Sequence, residues 1–274
     1  MNYHKITVNI NTTHKPSYFT GSMIRGAMGY ALKKVTCINP SYNCEGCFAS
    51  SSCLYHKFYE ATNSFHKYRF AIELGSGKFD FGLYLFDDAC ESLAYVLSAL
   101  EKTLKENGLT KEKHTFSDMT ISVNEQLVYT NGAFSSLDIP PKTFQLDSFC
   151  PNIKVKLQTP LRIKKNNRFL RDDVAIEEIL RSIYQREQEI FYGKKVFKLD
   201  YTPSYTTELK LLKHQELVRK SGRQKQRMNM DGIVGEIALI GIDERSYELL
   251  KLGEIIGVGK QTVMGLGGIE VVGV

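Results

Sequence analysis

The stretch Gly253-Glu-Ile-Ile-Gly-Val-Gly-Lys-Gln-Thr-Val-Met-Gly-Leu-Gly-Gly268 holds six glycines, one lysine and no proline. Glycine tolerates φ > 0 and lets the backbone approach another surface closely. The run leads into Ile269-Glu-Val-Val272, so it reads as a loop feeding a final strand. Such a loop turns backbone N–H groups outward, where they can hold phosphate oxygens. The plainer reading is a turn between a helix and a strand. A Walker loop does not fit, because Lys260 lacks the required spacing and is followed by Gln261. A dinucleotide fingerprint does not fit either, because the run precedes a last strand instead of following a first one.

Upstream of the loop, Glu244–Ile256 reads as a short helix. Arg223–Met230 and Ile233–Ile240 read as a hairpin around the Asp231-Gly232 turn. From Lys213 to Arg227 there are six Lys or Arg residues and a single acid, Glu216. The region between Phe191 and Lys220 is long and polar, which predicts a partly mobile segment. Asp172–Tyr192 is a helix by the spacing of Val174, Ile176, Ile179, Leu180, Ile183 and Ile190. Asn152–Thr159 is a strand. The C-terminal half is therefore strand, helix, strand, strand, helix, strand.

The same order is legible in the N-terminal half. Asn2–Ile10 alternates like a strand. A helix follows over about Thr20–Val35, where Gly26 and Gly29 suggest close packing against a neighbour. Lys67–Leu74 and Lys78–Phe86 read as strands joined by Gly75-Ser-Gly77. A helix from about Asp88 to Asn107 and strand-like runs over Thr115–Tyr129 complete the set. Repeated βαββαβ order predicts an α+β protein of two tandem ferredoxin-like (RRM-like) domains. The expected domains are 1–140, with an irregular insertion at 36–66, and 141–274, with the basic hairpin and the glycine loop.

The chain has 274 residues, 42% of them hydrophobic, which is enough for two packed cores. No run approaches a membrane helix, and the N-terminus has no secretory h-region. A cytoplasmic protein is expected. Net charge is +6, compatible with a nucleic-acid partner. Four cysteines cluster as Cys37-x6-Cys44-x2-Cys47-x5-Cys53. Clustered thiols in a cytosolic chain point to metal more than to disulfides. Four thiolates can close a tetrahedral structural zinc site; an iron–sulfur cluster and unligated thiols are the alternatives. Cys90 and Cys150 read as ordinary buried cysteines.

The run Arg223-Gln-Lys-Gln-Arg-Met-Asn-Met-Asp-Gly-Ile-Val-Gly-Glu236 and the Gly-x-Gly-x5-Gly-x-Gly signature of Gly257, Gly259, Gly265 and Gly267 carry a resemblance. They resemble the CRISPR precursor-RNA-processing endoribonucleases, the Cas6 family of the RAMP superfamily. The Arg25-Gly26-Ala27-x-Gly29-Tyr30 helix followed by clustered cysteines is similar to one branch of that family. The resemblance implies two ferredoxin-like domains that bind CRISPR repeat RNA. It also implies cleavage without a catalytic metal, by attack of a ribose 2′-hydroxyl on the adjacent phosphate. The alternative it leaves is a non-catalytic RNA-binding subunit of a CRISPR effector complex, and other effector subunits are expected partners.

That chemistry needs a base at the 2′-hydroxyl, an acid at the leaving oxygen and a donor to the phosphorane. Histidine suits the first two roles. The resemblance places the catalytic residue near the first helix, which makes His14, His56 and His66 the candidates, with Tyr18 as a further donor. His4, His114 and His214 read as solvated surface residues. Arg223, Lys225 and Arg227 alternate along an expected strand and so share one face for RNA phosphates. Arg25, Lys260, Gln261 and the four signature glycines complete the expected RNA surface.

Overall fold

The structure is a computed structural model that describes residues 1–135, 138–146, 148–220 and 227–274. The chain divides into two compact units, Met1–Thr143 and Phe144–Val274. No helix among the described residues is long and apolar enough to cross a membrane.

The first unit contains β1 (Asn2–Ile10), α1 (Gly21–Thr36), β2 (Tyr68–Ala71), β3 (Phe81–Phe86), α2 (Leu93–Lys102) and β4 (Met119–Val123). Its sheet runs β2-β3-β1-β4 with every pairing antiparallel. That is the ferredoxin-like order. Short strands β5 (Gln126–Thr130) and β6 (Ala133–Phe134) extend the β4 side, and β7 (Lys142–Thr143) pairs with the start of β1. Alternation in β1 buries Ile6 and Val8 completely against Ile24, Met28 and Leu32 of α1 and Val96, Leu97 and Leu100 of α2.

Gly29 is needed on α1 because a Cβ there would lie 2.5 Å from the Tyr59 ring. Gly26 faces open space, so the close packing expected of it is not there. His4, expected at the surface, is buried at 2% exposure. Asn124 accepts from the Lys5 N–H (3.0 Å) and donates to Pro140 O (3.0 Å), so its amide also faces His4 Nδ1 (3.2 Å). The imidazole is thus an acceptor there, and burial lowers its pKa from 6.5. An unfolded chain binds that proton more readily. The contribution of His4 to stability is therefore complete above about pH 6.5 and is lost as pH falls through that value. Urea titrations at pH 7.5 and 5.5 are expected to show a loss of the order of 1 kcal/mol that a His4→Gln variant lacks; equal pH dependence in both proteins would contradict it.

The second unit contains β8 (Ile153–Leu161), the short hairpin β9 (Lys164–Lys165) and β10 (Arg168–Phe169), α3 (Ile176–Tyr192) and β11 (Thr206–Gln215). It continues with β12 (Val218–Lys220), β13 (Arg227–Asn229), β14 (Gly232–Ile240), α4 (Glu244–Ile256) and β15 (Ile269–Gly273). Its main sheet runs β11-β14-β8-β15, the ferredoxin-like order again. Ile153, Val155, Ile179, Ile183, Ile237, Leu250 and Leu266 build the core beneath α3 and α4.

Here the expected hairpin is corrected. The partner of β14 is β11, paired from Thr206 to Gln215, while Arg227–Asn229 pairs with Val218–Lys220. Asp231 lies between β13 and β14, Gly232 opens β14, and the pair is not a hairpin turn. The segment expected to be mobile makes contacts with the start of α4. Arg245 grips both oxygens of Asp200 at 2.6 and 2.8 Å, and the Ser204 N–H donates to Asp243 Oδ2 at 2.8 Å. β11 escaped notice because it is an edge strand with six exposed residues at its start, so no buried alternation marks it.

Candidate catalytic and RNA-binding sites

In a βαββαβ unit the β1–α1, β2–β3 and α2–β4 connections meet at one end of the sheet. Ile10 of β1 pairs with Met119 of β4, so residues just after Ile10 and just before Met119 come together. His14 and His114 meet there, their rings stacked with centroids 3.9 Å apart and planes 21° apart. The sequence reading had placed His114 alone on a solvated connection. Both residues are accessible.

Tyr18 reaches the same end. Its carbonyl accepts from the Gly75 N–H at 2.9 Å, and a Cβ at Gly75 would lie 2.8 Å from its ring. Gly75, with φ of 69°, is therefore what lets Tyr18 settle on the β2–β3 connection. A cleft of about 320 Å³ adjoins, lined by Asn9, Asn11, Thr12, Lys78, Asp80 and Asp118 among others. Thr12 Oγ1 accepts the His14 N–H at 3.2 Å, which ties the histidine to the cleft wall. Asn11 donates to Asp118 (2.7 Å) and Asp80 accepts from Ile10 N–H (2.8 Å), so the cleft floor is braced. Lys78 adds a cation to the wall.

His56 and His66 are not part of this cluster. Both belong to the α1–β2 connection, which leaves from the other end of the sheet. His56 opens a short π turn, His56–Glu60, and His66 Nδ1 lies 3.4 Å from Lys57 O. Arg25, expected to meet RNA, is half-buried and also makes contacts within the protein. Its Nε donates to the Tyr68 hydroxyl at 3.1 Å, and its guanidinium lies 4.6 Å from the centre of the Tyr59 ring. Burial pushes both phenols above their usual pKa, and the Arg25 charge offsets part of this.

Cys37, Cys44, Cys47 and Cys53 are half-buried and free. Among the described residues no three His, Cys, Asp or Glu side chains gather into a group fit to hold a metal ion. The donor set that a zinc or iron–sulfur reading requires is therefore not assembled. The segment is folded into successive turns, with Cys47 N–H donating to Cys44 O at 3.3 Å and Ser50 N–H to Cys47 O at 3.2 Å. Cys37 Sγ instead donates to Asn39 O at 3.7 Å. Cys90 is buried as expected and its thiol is pushed up to about 12, chiefly by burial, whereas Cys150 is half-buried.

In the second unit the glycine loop joins α4 to β15, as read from the sequence, but its amides do not face outward. Val258 N–H donates to Gly267 O (2.9 Å), Gly259 N–H to Ser182 Oγ (2.9 Å) and Lys260 N–H to Arg162 O (2.8 Å). Gly265, Gly267 and Gly268 donate to Thr262 O, Pro160 O and Thr159 Oγ1. Gly257 donates to Gly253 O. The amides of the four signature glycines are thus taken by α4, α3, the loop itself and, through Gly267, the end of β8, so the outward-facing amides expected of this loop are not what the structure has. Gln261 adopts φ of 63° and opens the Thr262–Met264 turn, and the Lys260 side chain is exposed.

A buried ion pair adjoins the loop. Arg162, 4% exposed, donates through Nη1 to the backbone oxygen of Asp231 and to its Oδ1, the latter at 3.2 Å. Burial draws the guanidinium below its usual pKa and the Asp231 carboxylate offsets part of that shift. His214 Nε2 lies 3.0 Å from the other carboxylate oxygen, and its Nδ1 faces Arg171 O at 3.3 Å. His214, expected to be solvated in a connection, is therefore a braced member of β11. Arg223 and Lys225 lie outside the described residues. Arg227 opens β13 opposite Lys220. A basic feature not anticipated from the sequence is the β9–β10 hairpin, where Lys164, Lys165 and Arg168 are exposed around the Asn166-Asn167 turn. The sequence signal available was the Asn166-Asn167 pair, a residue type that tolerates φ > 0 in a tight turn.

Residues 1–141 match the family model AF_1859_N, N-terminal domain, and residues 155–269 match that of the CRISPR-associated endoribonuclease Cas6. No curated protein matches the chain. Among solved structures, one described as a Cas6 product complex is similar over 99% of this chain and 100% of its own, with 17% identity and a TM-score of 0.60. A partial Cas6-RT-Cas1--Cas2 complex is similar over 99% of this chain and 46% of its own, at 13% identity and a TM-score of 0.57. An RAMP protein binding different RNA substrates covers 99% of this chain and 100% of its own at 12% identity, with a TM-score of 0.50. At these identities the structures establish the fold alone, two tandem ferredoxin-like units. The family models add that residues 155–269 are similar to the CRISPR-associated endoribonuclease Cas6 family and residues 1–141 to the AF_1859_N N-terminal domain.

Proposed function

We propose that this protein binds CRISPR repeat RNA and cleaves precursor transcripts into guide RNAs without a catalytic metal. The observation that carries the reading is the Cas6 family match over residues 155–269. The polar cleft of the first unit, with His14 in the adjoining loop, supports it chemically. The proposed reaction starts with removal of the proton from a ribose 2′-hydroxyl. The 2′-oxygen then attacks the adjacent phosphorus, and the bond from phosphorus to the 5′-oxygen breaks. The products are a 2′,3′-cyclic phosphate and a 5′-hydroxyl.

His14 lies where this needs a proton-transfer group, in an accessible loop beside a polar cleft with a lysine in its wall. Tyr18, 54% exposed at the same end, is a candidate donor to the phosphorane oxygens. Exposed Lys164, Lys165, Arg168 and Lys260 of the second unit supply phosphate contacts. CRISPR effector subunits are proposed as protein partners; a chain of this fold is described in a partial Cas6-RT-Cas1--Cas2 complex, which supports partnership with CRISPR proteins in general.

The test is incubation of the protein with end-labelled repeat RNA in EDTA. The expected result is a single cut, unaffected by the chelator, with a cyclic phosphate on the upstream fragment and a 5′-hydroxyl on the downstream one. Binding without cleavage would reduce the chain to an RNA-binding subunit. Activity lost in EDTA and restored by a divalent cation would overturn the metal-independent step.

A further inference from the structure

We propose that His114, from the α2–β4 connection, is the second proton-transfer group of the cleavage site and acts as a pair with His14. The inference rests on the reading of the chain as an RNA-cleaving enzyme and adds to it a residue from the opposite end of the first unit's sequence.

The geometry is the first argument. The two rings come from loops a hundred positions apart in sequence, yet stack at 3.9 Å in an accessible setting. Leu109 and His114 exchange backbone hydrogen bonds at 2.8 and 2.7 Å, so the backbone that presents the ring is held in a closed turn. His14 is held in turn by the Thr12 hydroxyl. Both rings are therefore offered from braced loops.

The chemistry is the second argument. Transesterification of RNA needs one group to accept the 2′-hydroxyl proton and another to donate a proton to the 5′-oxygen. A neutral imidazole accepts and a protonated one donates, so two imidazoles sharing one proton carry both roles. The entering and leaving oxygens occupy opposite apices of the phosphorane, two P–O bonds apart. Two rings one stacking distance apart can serve both apices from a single side. One imidazole takes the 2′-hydroxyl proton as the new O–P bond forms, and the imidazolium gives its proton to the 5′-oxygen as the old bond breaks. The pair ends with the same single proton on the other ring.

Several charged groups surround the pair. Glu112 lies close to His114, Lys15 and Lys113 adjoin the two histidines in sequence, and Lys78, Asp80 and Asp118 line the neighbouring cleft. Lys78 is placed to favour an incoming phosphate.

The experiment uses single-turnover cleavage of repeat RNA by the full chain and by His14→Gln and His114→Gln, across pH 5.5 to 9, with RNA affinity measured in parallel. His114→Gln is expected to cleave about 10²-fold more slowly than the parent with unchanged RNA affinity. The parent's bell-shaped pH–rate profile is expected to become one-limbed in each variant. A substrate with sulfur in place of the bridging 5′-oxygen needs no general acid. It is expected to restore the rate of one variant and not the other, which identifies the acid. Cleavage by His114→Gln at the parental rate, or with the bell intact, would overturn the pair while leaving the enzyme reading in place. Rescue of both variants, or of neither, would overturn it too. An inactive parent that binds RNA would remove the enzyme reading and the pair with it.

Discussion

Gly267→Ala is expected to destabilise the second unit by about 4 kcal/mol, a large share of what an ordinary domain has. A Cβ at this position would lie 1.8 Å from the carbonyl oxygen of Val258 and 2.9 Å from its carbon. That carbonyl cannot retreat easily. Val258 is fully buried, and its N–H is bonded to Gly267 O at 2.9 Å, so the two backbones are tied face to face. Gly267 also has φ of 67°, which alone costs an alanine about 1–2 kcal/mol. Gly241 is the control. It has φ of 63° but nothing within 4 Å of its would-be Cβ, so Gly241→Ala carries the conformational cost without the collision. Urea unfolding followed by circular dichroism, with limited proteolysis to tell the units apart, separates them. Equal midpoints for the two variants would refute the collision.

Asp231→Ala is expected to cost the same unit about 3 kcal/mol, because it strands a buried guanidinium. Arg162 would keep the backbone oxygen of Asp231 but lose the carboxylate, and His214 would lose its 3.0 Å partner. The lower part of the range for a broken buried pair is chosen because that backbone acceptor remains. Replacing both partners by apolar residues, Arg162→Met with Asp231→Leu, is expected to recover most of the loss, since no buried charge is then left alone. A double variant as unstable as Asp231→Ala, read from the same unfolding curves, would show that the site depends on the ions themselves. The consequence reaches the glycine loop, because Arg162 O is the acceptor for Lys260 N–H and lies 2.5 Å from where a Gly259 Cβ would be.

Much of the fold was legible because most of its elements carry their own signals. α4 spans Glu244–Ile256, the same residues its pattern indicated. Asp243 caps it by accepting the Ser246 N–H at 2.9 Å, and Gly257 ends it with φ of 74°. The Asn124-Glu125 break between β4 and β5 is likewise local, a turn with φ of 51° and 74°. β11 was not legible, because an edge strand solvated on both faces has no burial period to show.

His14 and Tyr18 are candidates from their place before the first helix, where the resemblance puts the catalytic residue, and the structure sets both at one end of the first sheet. His114 could not be named this way, since nothing near it in sequence distinguishes it from a solvated loop histidine. It becomes a partner of His14 only when β4 pairs beside β1 in the register that sets Met119 against Ile10. The contacts of Arg25 with Tyr59 and Tyr68 were not legible either, since they join α1 to the segment before β2 and to β2 itself.

The sequence by itself determined the first βαββαβ unit and all of the second but β11, because periodicity, caps and turn residues act over a few positions and survive without the rest of the chain. The glycine pattern near the C-terminus also marked the position of the loop correctly. Only the tertiary structure decided what that loop does. Its amides are donors with a choice between phosphate and protein, and α4, α3, the loop itself and the end of β8 lie close enough to take them. The same holds for the six histidines. Which is buried against Asn124, which braces Asp231 and which two stack in the open depends on strand register, a long-range quantity that no short stretch of residues encodes.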